Sequence, residues 1–374
     1  MGKHRLLASV FLLFTGWPIC ICGELARPKT LSVSTHEAAT TEGEAPAADL
    51  FGMPSVGYVF EPEGGALRPI LGMPGATILG ARVELGMNVK RAWISPRQSY
   101  VLAEVEGLEE VILLDIQRGA QATKPLLNVP PGADQVAVSP TGTAIAFYFR
   151  NNNRLQVISG LPGSPEASAS ADLAFLGGSI STLAVSDDGS AVLVASTNPG
   201  VGAVYLIHSE QNRVIAPAGD VRAMTFLGNS MSAVIADVAT NQVRLLSSVT
   251  GAATSQVLAE ESTGISHPLA LQVSTDNRRV FVLNSGAQAV TIVDLATGLL
   301  THLPTNGSAS KLQRLSGDVF QLTDDFRQPM LLLDGAAAEP RIVFTPKAPD
   351  SERSVGRTAL RNQAPAERRP LPLR

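Results

Sequence analysis

No cysteine occurs in this 374-residue chain after Cys22. Beyond that point a disulfide framework, a thiolate metal site and a CxxCH haem attachment are all excluded. Charge is sparse as well, with 17% Asp, Glu, Lys and Arg and a net of −4, so the chain has no electrostatic footprint for nucleic acid. Aromatic residues make up 5%, and of the two tryptophans only Trp93 lies beyond residue 17. No stretch shows a helical period, and no segment after the first residues is apolar for long enough to cross a bilayer, which needs about 20 residues. Phosphate-loop, nucleophile-elbow and His-Glu-x-x-His motifs are missing.

What is present begins with an address. Lys3, His4 and Arg5 precede Leu6–Phe14, nine residues of which only Ser9 is polar, and Gly16, Trp17 and Pro18 then break the pattern. This order reads as a secretory signal peptide over 1–23. A lipoprotein site fits badly, because Cys20 and Cys22 both follow isoleucine. Residues 24–50, rich in Ala, Thr, Glu and Pro, read as a flexible linker. Residues 350–374 carry six arginines against Asp350, Glu352 and Glu367 and read as a disordered basic tail. The expected location is therefore extracytoplasmic, periplasmic or secreted, with no membrane span once the signal is cleaved.

The body, 51–349, repeats. An apolar–polar alternation ending in a turn recurs as Val136-Ala137-Val138-Ser139-Pro140-Thr141-Gly142 and Leu183-Ala184-Val185-Ser186-Asp187-Asp188-Gly189. Aligned on Ser95, Ser139, Ser186, Leu227, Ser274 and Leu315, the steps are 44, 47, 41, 47 and 41 residues. The turns have the positive-φ chemistry of tight hairpins. A second strand follows each turn (Tyr100–Val105, Ala144–Phe149, Ala191–Ser196, Ala233–Asp237, Val280–Asn284, Val319–Thr323). A third follows a polar loop, from Val111–Ile116 to Met330–Asp334. One period before Val111 lies Leu67, which predicts a degenerate blade at about 51–90 with its first strand short or missing. Short β-branched strands at this spacing predict an all-β fold, a seven-bladed β-propeller of four-stranded antiparallel blades.

Val280-Phe281-Val282-Leu283-Asn284-Ser285-Gly286 followed by Val290–Gly298 resembles the YVTN repeat of bacterial cell-surface and periplasmic propellers. Phe281-Val282-Leu283-Asn284 stands where that family has Tyr-Val-Thr-Asn, and the match covers one blade. The resemblance implies a seven-bladed, WD40-like, exported propeller and brings no catalytic residues. Propellers that hold quinones have repeated tryptophan docking motifs, which one Trp93 does not supply. Ser186-x-Asp188-Gly189 misses the sialidase box spacing by one residue.

No cofactor or metal is expected. Asp187-Asp188-Gly189 reads as a hairpin turn and not as a calcium loop, which needs alternating oxygen ligands and a distal glutamate. Glu104, Glu106, Glu109 and Glu110 read as a solvated hairpin end or a weak cation site, and His208, His267 and His302 as local hydrogen-bonding residues. Asn306-Gly307-Ser308 fits a glycosylation sequon but also an ordinary turn. The expected function is a non-catalytic scaffold, monomeric, that binds a protein, peptide or glycan. The alternative is an enzyme, hydrolase or lyase, with its site at the mouth of the central channel. Loops between second and third strands are varied and polar, and rigid frames commonly bind through such loops. The candidate binding face is Arg150, Arg154, Asp237, Asn241, Asp324 and Arg327, with the tight turns at Thr141 and Asp188 on the opposite face as inert controls.

Overall fold

The computed structural model describes residues 54–347, apart from 84, 117–122, 127, 198–201, 210 and 307–308. The expected signal peptide, linker and basic tail lie outside the described residues, as does most of the sequon. Blade 1 consists of β1 (Ser55–Glu61), β2 (Ala66–Met73) and β3 (Ala76–Leu79). Six four-stranded sheets follow, at Val89–Pro125, Gln135–Asp172, Ser179–Ala218, Val221–Ala259, Pro268–Pro304 and Gln313–Thr345. All pair antiparallel, so the chain is a seven-bladed β-propeller. Blade 1 has no innermost strand among the described residues.

The blades form a ring because seven apolar clusters each join two neighbours. Phe281 and Leu283 of blade 6 meet Phe320 and Leu333 of blade 7, with the two phenyl rings 4.8 Å apart. Val56, Val59 and Ile70 of blade 1 meet Leu315, Val319 and Leu332 of blade 7. Leu67 of blade 1 completes the circle against Val89 and Leu114 of blade 2. Second strands such as Tyr100–Val105 and Ala144–Phe149 are buried at every residue, since both faces pack on neighbouring blades. Each large side chain so buried contributes about 1.5–3 kcal/mol.

The recurring serine has a local reason. Ser139 Oγ accepts the Ala144 N–H at 3.0 Å, Ser186 Oγ that of Ala191 at 3.0 Å, and Ser274 Oγ that of Arg279 at 2.8 Å. Each hydroxyl thus closes the hairpin between first and second strands and is itself buried.

The turns so formed are tied to one another around the ring. Tyr100 Oη donates to the Gly142 carbonyl at 2.6 Å, joining blades 2 and 3. Asp187 of blade 4 accepts from the Thr141 N–H and hydroxyl on one side and from the Asn229 N–H on the other. Asn277 of blade 6 exchanges two hydrogen bonds with Gly228 of blade 5. Asp318 of blade 7 accepts from the Thr275 N–H at 2.8 Å.

At the inner edge of blade 1, where no strand occurs among the described residues, one side chain stands in. Gln98 of blade 2 accepts the outward N–H of Tyr58 in β1 at 2.7 Å and donates to the Arg314 carbonyl of blade 7 at 3.3 Å. Gly57 makes this possible, because a Cβ there would lie 3.1 Å from the Gln98 side chain and 3.3 Å from Leu315, at a backbone φ of +146°. On the outer rim of the same seam, the hydroxyls of Thr77 and Thr345 share a hydrogen bond of 2.7 Å. Thr141 and Asp188 are therefore not inert controls. Thr141 holds Asp187 across a blade boundary, and Asp188 accepts from Ser186 and Ser190.

Candidate functional site

All six candidate residues lie in or at the strand ends of the second-to-third-strand connections of blades 3, 5 and 7, with Arg154 opening the strand Arg154–Ser159 and Asp237 closing Ala233–Asp237, but they differ in what they do. Arg150 opens a short 3-10 turn, Arg150–Asn152, with its N–H on the Asp134 carboxylate at 2.8 Å. Its guanidinium is 66% exposed and only 3.9 Å from the same carboxylate, a loose pair worth little in water. Arg154 is exposed and touches Ser170 Oγ at 3.3 Å. Asp324 pairs with Lys311, and Arg327 reaches Glu63 across the seam between blades 7 and 1.

Asp237 faces inward, and Asn241 is half-buried. Asp237 is 0% exposed, and its carboxylate accepts the N–H groups of Gly219, Asp220 and Ala239 at 2.8–3.1 Å. Asn241 Oδ1 accepts the His267 N–H at 2.9 Å. Both clamp a connection between blades, with the Asp237 carboxylate fully taken up and Asn241 engaged through its Oδ1.

The sequence reading missed one member of this face. Phe175 sits on the short turn Ala174–Leu176 between blades 3 and 4 and is 54% exposed, while its neighbour Leu176 is buried. A hydrogen bond from the Leu173 N–H to the Asn153 carbonyl, 2.8 Å, ties that turn to the Arg150–Arg154 loop. The signal was available in Leu173-Ala174-Phe175-Leu176, an apolar run inside a connection between strands.

The acidic group at 104–110 is mostly consumed by neighbours. Glu104 is buried and accepts the Gly132 N–H, Glu106 meets Lys90 and Asn88, and Glu110 accepts the Asn128 N–H. Among the described residues, no three His, Cys, Asp or Glu side chains are grouped as a metal site. His208 and His302 bond to the Ser190 carbonyl and the Thr291 hydroxyl, on different blades.

The central channel encloses about 370 Å³ and is lined by the innermost strands of blades 2 to 7, among them Trp93, Thr225, Gln272 and Gln313. A second cavity of about 190 Å³ lies toward the turns and shares Pro96, Pro140 and Arg314 with the first. Arg314 is 9% exposed, bonds to Asp318 and to the Gly317 and Val273 carbonyls, and stacks over Phe320 at 4.8 Å. Burial lowers its pKa from the usual arginine value, and the Asp318 carboxylate opposes that shift.

No family model matches this chain, and no curated protein matches it. Solved structures do align. A chain of hydrazine synthase from Kuenenia stuttgartiensis is similar at 15% identity and a TM-score of 0.47, covering 83% of this chain and 100% of its own. A functionally unknown protein from Desulfotomaculum acetoxidans aligns at 14% identity and a TM-score of 0.49, covering 78% of this chain and 99% of its own. A chain of a nidogen/laminin complex aligns at 12% identity and a TM-score of 0.43, covering 65% and 90% respectively.

Proposed function

We propose that this chain is an exported, YVTN- or WD40-like propeller that acts as a non-catalytic scaffold and binds a protein, peptide or glycan through its loop face. One observation supports the reading most. Two weakly engaged arginines, Arg150 and Arg154, share a corner with exposed Asn151, Asn152 and Phe175 on a frame fixed from both sides. Arginine and aromatic side chains carry much of the energy at binding surfaces, and a rigid support reduces the ordering cost. Arg327 and Asp324 belong to the same face at blade 7. The leader-like residues 3–23 support a destination outside the cytoplasm.

The test compares capture from the native cell envelope by wild type, the double variant R150E/R154E and R278E. Arg278 lies on the opposite face with its side chain 79% exposed. A partner held by wild type and by R278E should bind R150E/R154E at least ~10-fold more weakly. Equal retention by all three proteins, or equal loss from both variants, would contradict the assignment of the face.

A further inference from the structure

We propose that the central channel is a second, separate binding site, which takes a small hydroxylated organic anion of sugar-acid size entering from the turn face toward Arg314.

The sign of the ligand follows from the lining. Arg97 and Arg314 line the two adjoining cavities, while the nearest carboxylates, Asp318 and Asp187, lie behind the wall and are taken up by Arg314 and by the Thr275, Thr141 and Asn229 N–H groups. A narrow space walled by protein focuses the field of the cations that line it. Arg314 is the inner of the two and lines both cavities. Its contacts use three of its five N–H groups, two on Nη1 and one on Nη2. A guanidinium that is nine-tenths buried against one carboxylate is under-solvated, as its depressed pKa also indicates. A ligand carboxylate near the remaining N–H groups would supply charge-assisted hydrogen bonds, the strongest kind in proteins.

The body of the ligand follows from the rest of the wall. Gln272 and Gln313 bring side-chain amides and Thr225 a hydroxyl, all from innermost strands whose free edges also carry backbone donors and acceptors. Lys311 occupies Gln313 Oε1 at 3.1 Å and leaves its amide N–H groups for other partners. Mixed donors and acceptors suit hydroxyl groups, which both give and take hydrogen bonds. Trp93, half-buried at the wall, is held edge-on by Phe147 and has the Arg91 guanidinium 4.8 Å over one ring face, so any apolar surface it gives to the C–H side of a sugar ring is on its remaining side. About 370 Å³ falls within the range of small-molecule sites, about 300–1,000 Å³.

Trp93 also provides the measurement. In the full chain carrying W17F it is the sole tryptophan, so the emission reports on the surroundings of Trp93 at the channel wall. Titration with D-glucuronate should give a saturable change, and D-glucose should need at least ~10-fold higher concentration because it lacks the carboxylate. R97A and Q272A, both checked for native circular dichroism, should each weaken the glucuronate response, and R150E/R154E should leave it unchanged. Arg314 bridges two blades, so these two variants keep the proposal testable should R314A fail to fold. Three results would overturn it: no saturable response of folded protein to glucuronate, equal responses to glucuronate and glucose, or a response unaltered in both R97A and Q272A.

Discussion

Replacing Glu61 with glutamine should lower the stability of the folded ring by about 3–5 kcal/mol, the usual cost of breaking a buried ion pair from one side. Glu61 ends β1 with its side chain 9% exposed, and its carboxylate accepts Arg68 Nε at 2.8 Å, Arg82 Nε at 2.7 Å and Arg82 Nη2 at 2.9 Å. Arg68 also donates to the Gly80 carbonyl, so this cluster fixes the exit from blade 1 toward blade 2. Hydrogen bonds from Arg82 foremost, opposed by burial and helped by Arg68, hold the Glu61 pKa at about 2, below its ordinary 4.5. A folded-state pKa below the unfolded one gives stability that is present above pH 4.5 and lost as the pH falls toward 2. Urea unfolding of wild type and E61Q should therefore differ most at neutral pH, with the gap narrowing through that window. A gap under ~1 kcal/mol at pH 7, or one that does not change in acid, would show that the cluster adds little.

D237A should be comparably severe, at about 3–5 kcal/mol. Its removal strands two backbone N–H groups in the connection from blade 4 to blade 5, Gly219 and Asp220, and that of Ala239 in its own loop. It also leaves Arg244, whose Nη2 lies 3.8 Å from Asp237, more isolated, and Arg244 Nε is buried without a partner already. S196A, which loses one hydroxyl bonded to the Gly177 carbonyl at 2.8 Å, provides the scale, and about 1 kcal/mol is expected for it. Thermal or urea unfolding would rank the two, and a D237A loss no larger than that of S196A would contradict the structural role of Asp237. The same role makes charge reversal at Asp237 a poor probe of binding, because it would loosen the frame as well as the face.

The inner strands were legible in the sequence because burial on both faces leaves a short, nearly continuous apolar run bounded by turn residues. The stretches Tyr100–Val105, Ala144–Phe149, Ala233–Asp237 and Met330–Asp334 agree with the observed strands residue for residue. Outermost strands left less trace. Glu166–Asp172 is exposed along nearly its whole length and made of small and acidic residues, so nothing in its pattern separates it from a loop. The place of β1 as the second strand of blade 1 could be read, since Gly57–Phe60 fell at that position in the repeat. That Gln98 would fill the gap could not be read, because the contact joins blades 2, 1 and 7 through one amide.

The candidate face divides along the same line. Loop position and polarity identified Arg150, Arg154, Asp324 and Arg327 as surface groups. They gave no warning that Asp237 is consumed by its own backbone neighbours, because a carboxylate at a strand end looks the same whether it faces water or a connection. Asp187 was likewise legible as a turn residue, while its reach to both Thr141 and Asn229 depends on how the blades are spaced.

The central claim is a ring of seven blades whose first and last members meet through side chains, without sharing a sheet. A disulfide between positions 77 and 345 tests it most directly. The hydroxyls of Thr77 and Thr345 are 2.7 Å apart, so the two side chains touch across the seam, as a disulfide with its β-carbons about 3.5–4.5 Å apart requires. In T77C/T345C with Cys20 and Cys22 replaced by serine, oxidation should yield monomer in which a non-reducing peptide map joins the segments containing 77 and 345. Free thiols at both positions after oxidation of folded monomer, or linkage only between separate molecules, would contradict the closed ring.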